Sequence, residues 1–159
     1  MTSQRFAARH RRALAAVGAV GAGLLVLSAC DKPTPLATVT VGSSTVNSEA
    51  SCYDDGKALK PSSLQGCLKD KDAKSIKISD PDSKVRFGVD PEVADHKWTI
   101  LMNGQALSDA SDKTYRAIPA SVFFNQQYGA TGKTTTVTVL EGSGSKAYGL
   151  WTFKLEKDF

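Results

Sequence analysis

The chain has 159 residues, with 20 Lys and Arg against 16 Asp and Glu, three cysteines and two histidines. The formal charge of +4 invites a nucleic-acid partner, but Arg5, Arg9, Arg11 and Arg12 fall in a leader that holds no acid, so the residues from Cys30 onward carry 16 basic and 16 acidic side chains. Nonspecific affinity for phosphate rests on clustered Lys and Arg, and a balanced chain whose lysines at 57, 60, 69, 71, 74 and 77 are interleaved with Asp54, Asp55, Asp70 and Asp72 reads as a solvated mixed-charge face, with no nucleic-acid partner.

The leader has the layout of a secretory signal: the four arginines precede an Ala/Gly/Leu-rich run that ends in Leu27-Ser28-Ala29-Cys30. Small residues followed by cysteine resemble a bacterial lipobox. Residues 1–29 are then a signal peptide, cut before Cys30, whose thiol carries the lipid that joins the protein to the extracytoplasmic face of the cell membrane. An uncleaved span is the alternative, although Ala13 to Ala29 is 17 residues with three glycines, short of the ~20 apolar residues a span needs. Arg11-Arg12 keeps a twin-arginine export route open beside the general secretory one.

With Cys30 assigned to lipid, Cys52 and Cys67 remain as an even pair in an oxidising compartment, which predicts a disulfide. Closing a loop of that length contributes about 3 kcal/mol on the chain-entropy model. The rival, a two-cysteine metal site, lacks partner ligands.

Residues 30–36, with Pro33 and Pro35, read as an extended tether, and residues 37–159 as one domain with one modest core. Ala37, Val39 and Val41 alternate with threonines; Gly42-Ser43 offers a turn, and Thr45 to Ala50 returns as a second strand. Cys52 to Cys67 is turn-rich and predicts a surface loop with a helical turn near Ser63 to Leu68. Ile76 and Ile78 face one way, then Val85, Phe87 and Val89, then Trp98, Ile100 and Met102 against Lys97, Thr99 and Leu101. Asn103-Gly104 predicts a type I′ turn that folds Gln105 to Ser108 back on that strand. Thr114 to Ile118 is a further strand ended by Pro119, followed by a short apolar piece at Ser121 to Phe124 and a loop over residues 125–133. Thr134 to Glu141, a turn at Gly142 to Ser145, and a strand with Trp151, Phe153 and Leu155 inward complete the chain. Seven to nine short strands with no long helical period predict an all-β fold, a single immunoglobulin-like antiparallel β-sandwich in which Trp98 is the buried central-strand aromatic. An α+β or open-barrel arrangement is the alternative.

A serine or cysteine nucleophile needs a base, and the chain beyond the leader has one histidine, His96, read as exposed and structurally idle between Asp95 and Lys97. There is no G-x-S-x-G elbow. The aspartates near Cys52 and Cys67 do not match a calcium loop, and Gly129-x-x-Gly132-Lys133-Thr134 is too short for a phosphate-binding loop. One His, Met102 and two bridged cysteines assemble neither a copper nor a zinc set. The expectation is no catalytic residue, no metal and no cofactor. A noncatalytic binding or scaffolding module follows, meeting an envelope protein or ligand through loops such as residues 125–133 and 52–67. The alternative is an envelope enzyme or enzyme accessory acting through Asp90, Glu92 and Asp95 near Trp98.

The lipobox leader, Ser51-Cys52, Cys67, Ser75-Ile76-Lys77-Ile78 and the run Val85-Arg86-Phe87-Gly88-Val89-Asp90-Pro91-Glu92-Val93-Ala94-Asp95-His96-Lys97-Trp98 together resemble the bacterial lipoproteins grouped as domain of unknown function 2771. The resemblance spans roughly Ala37 to Lys157. It implies a membrane-anchored, single-domain lipoprotein and adds no catalytic residue.

Overall fold

Rows of alternating apolar residues build two sheets that close on each other. The structure, a computed structural model, describes residues 33–143 and 145–159; the signal peptide and Cys30 expected from the sequence lie outside them. The strands are β1 (Ala37–Val41), β2 (Ser44–Ser48), β3 (Cys52–Tyr53), β4 (Lys74–Ile78), β5 (Lys84–Val89), β6 (Trp98–Met102), β7 (Gln105–Ala106), β8 (Tyr115–Pro119), β9 (Thr134–Ser143) and β10 (Lys146–Lys157). Three short α-helices interrupt them, α1 (Pro61–Cys67), α2 (Pro91–Asp95) and α3 (Ala120–Phe123), and a 3-10 turn spans Gln126–Tyr128.

One sheet has the order β2-β1-β5-β8; the other runs β3-β10-β9-β6-β7, with β4 also on β10. All neighbours are antiparallel except β4, which lies parallel to β10, with Ile76 beside Leu155. The expected β-sandwich is therefore the fold. In the immunoglobulin pattern β5 and β8 stand as strands B and E, and β6, β9 and β10 as C, F and G. Trp98 fills the strand-C position and is fully buried.

Val39, Val85 and Phe87 from the first sheet meet Ile78, Trp98, Ile100, Val137, Val139, Trp151, Phe153 and Leu155 from the second in one core, all of them fully buried. Side chains of this size are worth about 1.5–3 kcal/mol each when removed from water. Phe123 of α3 packs on Phe87 with ring centroids 5.8 Å apart, and its carbonyl accepts from Thr135 Oγ1 at 2.6 Å.

The Asn103-Gly104 turn has the expected geometry, with φ of 50° and 84°. Met102 then pairs with Gln105 and Leu101 with Ala106. Cys52 and Cys67 form the expected disulfide, with Cα atoms 5.6 Å apart, joining the edge strand β3 to the end of α1.

Two expectations need correction. Leu101 and Thr152, assigned outward by alternation, are buried; Thr152 and Thr138 hydroxyls face each other at 3.3 Å, satisfying polar groups on a covered face. The Gly142–Ser145 turn is tighter, since Ser143 already pairs with Lys146. β5 ends at Val89, and Asp90-Pro91-Glu92 leads straight into α2, with Pro91 at the helix start where its missing N–H costs nothing. Pro35 and Leu36, at the end of the stretch read as a tether, are bonded to the domain. Pro35 is buried and its carbonyl accepts from Trp151 Nε1 at 2.9 Å. Leu36 N–H donates to Asp90 Oδ2 at 2.9 Å while Asp90 N–H donates to the Leu36 carbonyl at 3.4 Å.

These bonds define two ends of the sandwich. Pro35 and Leu36, α2 and the β9–β10 hairpin occupy one, because Ala37 pairs with Val89 and Trp98 with Glu141. The turn at residues 79–83, the Asn103-Gly104 turn and the 125–133 loop occupy the other, where Lys84 pairs with Pro119 and Asn103 Nδ2 donates to the Gly129 carbonyl at 3.0 Å.

Candidate functional site

The inward row of β9 runs Thr135, Val137, Val139 and ends on Glu141, so the pleat that buries two valines also buries a carboxyl group. Glu141 is 1% exposed. It lies between Trp98 of β6 and Gly149 of β10. Gly149 makes the space: a Cβ there would stand 2.9 Å from Glu141 Oε2 and 2.5 Å from Cη2 of Trp151, which folds over the glycine.

The partner of Glu141 comes from the link between the sheets. α2 ends at Asp95, His96 caps it, and Lys97 takes the left-handed conformation at φ 64° to turn the chain into β6. The Lys97 carbonyl accepts from Gly142 N–H at 2.8 Å, fixing the link to β9. His96 Nδ1 then meets Glu141 Oε1 at 2.5 Å. With a carboxylate as acceptor, Nδ1 carries the proton and Nε2 is the nitrogen left for other partners.

The imidazole side chain is 42% exposed. Tyr148 stacks on it, ring centroids 4.5 Å apart and planes 20° from parallel. Tyr148 sits where the β9–β10 register shifts, between Ala147 and Gly149, a bulge that re-aims a side chain. Burial holds the Glu141 carboxyl above the usual carboxylate range; the hydrogen bond and charge of His96 oppose that shift, and the negative charge of Glu92 adds to it. Glu141 Oε2 is buried and has no hydrogen-bond partner among the described residues.

His96 is therefore exposed, as the sequence suggests, but not idle. It is the lid on a buried acid. A carboxylate that fixes the tautomer of an imidazole is also the arrangement that supports general-base histidines.

The remaining candidates are dispersed. Asp90 is engaged by Leu36, Glu92 lies on α2 within electrostatic range of Glu141, and Asp95 is exposed. Asp70, from the mixed-charge stretch, accepts from Ser51 Oγ at 2.8 Å and ties the disulfide loop down. Among the described residues no three His, Cys, Asp or Glu side chains cluster as a metal site, and no helix is long and apolar enough to cross a membrane. The two loops expected to carry contacts are at opposite ends of the sandwich: Leu59 of the disulfide segment bonds Ala147 at the hairpin end, and the 125–133 loop bonds Asn103.

No protein-family model, no curated protein and no solved structure matches the chain. The resemblance to the 2771 lipoproteins rests on the residues quoted for it alone.

Proposed function

We propose that the protein is a noncatalytic binding or scaffolding module of the cell envelope, held at the extracytoplasmic face of the membrane by a lipid on Cys30. The observation that carries this reading is the two-ended layout of the sandwich. The chain enters the fold at Pro35 and Leu36 at one end. The longest loop between the later strands, residues 125–133, lies at the other and presents Tyr128, 54% exposed. Loops on a rigid β scaffold are where binding residues concentrate, and the disulfide and two-sided core supply the rigidity. The test places a photo-crosslinking residue at 128 and, separately, at 145 in cells. A protein or polymer adduct from position 128 that position 145 does not give supports the reading; no adduct from 128 above background contradicts it.

An enzyme or enzyme accessory is the second reading, favoured by the carboxylate-fixed imidazole of His96. It requires a substrate or nucleophile at Nε2. Asp90, one of the three acids named for it, is taken up by Leu36. Loss of an envelope phenotype in His96→Gln, with unchanged melting and an intact crosslink from position 128, would favour the enzyme over the binding module.

A further inference from the structure

We propose that the end of the sandwich bearing Leu36, the His96–Tyr148 stack and the β9–β10 hairpin is a bilayer-facing surface, and that the lipid bilayer itself is its partner. The inference rests on the lipid-anchor reading of Cys30 and deepens it.

Cys30 precedes Pro35 by five residues, a span of at most ~18 Å at full extension. β10 alone has twelve residues, about 40 Å at strand rise. The anchor therefore reaches less than half the length of the domain. The chain is also gripped where it arrives: Trp151 Nε1 holds the Pro35 carbonyl, and Leu36 and Asp90 bond to each other twice. No slack remains between Pro35 and the sheet, so the entrance end stays within reach of the headgroups.

The side chains at that end suit a headgroup region. Leu36 is an apolar residue 39% exposed at the point of entrance. Tyr148 is half-buried against His96, and Tyr115, which pairs with Gly88 next to Val89, is exposed. Amphipathic rings with one apolar and one polar side favour the membrane interface. Charge does not drive the contact, because exposed Lys97 and Lys146 are offset by exposed Asp90 and Asp95. Salt should leave it unchanged, unlike a polybasic patch, whose attraction is screened.

The experiment uses the full lipidated chain in phosphatidylcholine vesicles containing a minor fraction of phosphatidylglycerol and a headgroup-level spin-labelled lipid. A fluorophore is attached at Ser145→Cys in one sample and Asp82→Cys in another; both positions are exposed, one in the hairpin and one at the opposite end. Quenching of the label at 145 with none at 82, insensitive to salt, is the expected result. Intact mass of the same samples separates the two ideas. A lipidated mass with equal quenching at both positions, or with stronger quenching at 82, overturns the bilayer-facing surface and leaves the anchor standing. An unlipidated mass removes both.

Discussion

Glu141 and His96, 45 residues apart in sequence, are joined at 2.5 Å, and the acid is buried while the base is half open to solvent. The pair makes Glu141 a titrating element of the core. Its carboxyl group is held above the usual range by burial, so the folded state binds a proton more tightly than the unfolded state does. Its contribution to stability is present below the unfolded pKa, about 4.3, and is lost as pH rises through the higher folded value. Glu141→Gln keeps an oxygen to accept from His96 Nδ1 and removes the buried charge. The variant should be at least as stable as the parent at pH 7. The advantage should shrink as pH falls from the raised folded value toward the ordinary glutamate value, and vanish below it. Paired denaturant titrations from pH 4 to 8 check this; a variant that is less stable at pH 7 contradicts it.

Gly149→Ala should be far more damaging than a surface change of one methyl. The new Cβ would lie 2.5 Å from the Trp151 ring and 2.9 Å from Glu141 Oε2. The ring is fully buried and its Nε1 is bonded to Pro35. Overpacking of this kind costs about 1–3 kcal/mol, read as a fall in the denaturant midpoint without a change in slope.

Removing the Cys52–Cys67 disulfide by double serine substitution should lower stability by about 3 kcal/mol on the chain-entropy model for a loop of this length. The bonds from Ser51 to Asp70 and from Leu59 to Ala147 stay available to the open chain. Thermal melts of the parent with and without reductant should reproduce the same loss.

Asp90→Ala should release the beginning of the chain while sparing the core. It deletes the acceptor of Leu36 N–H, and the loss of one such bond costs about 1–2 kcal/mol. Amide exchange at Leu36 should accelerate while that of Val139 and Phe153 holds.

Much of the architecture was legible because period-two rows dominate it. Val85, Phe87 and Val89, and Trp151, Phe153 and Leu155, are buried as their alternation predicts, and Asn103-Gly104 adopts the positive φ pair that its residue types favour. The destination of β4 was not legible. A short turn after Ile78 fits a hairpin as well as a crossing, and only tertiary packing sends β4 to β10 and β5 to β1. α2 is five residues long, too short for a helical period. At the candidate site the signal was present but ambiguous: Val137, Val139 and Glu141 share one parity, yet a glutamate at the end of an apolar row ordinarily marks the strand's exit to solvent. What buries it is Gly149 across the sheet and His96 on another connection, and neither juxtaposition is written in local sequence.

The most direct test of the central claim is the intact mass of the membrane-extracted protein, measured with and without reductant and alkylation. The expected mass is that of a chain beginning at a diacylglyceryl-modified Cys30, with two thiols that alkylate only after reduction. A mass that retains residues 1–29 without lipid, or two thiols that alkylate without reductant, would contradict it.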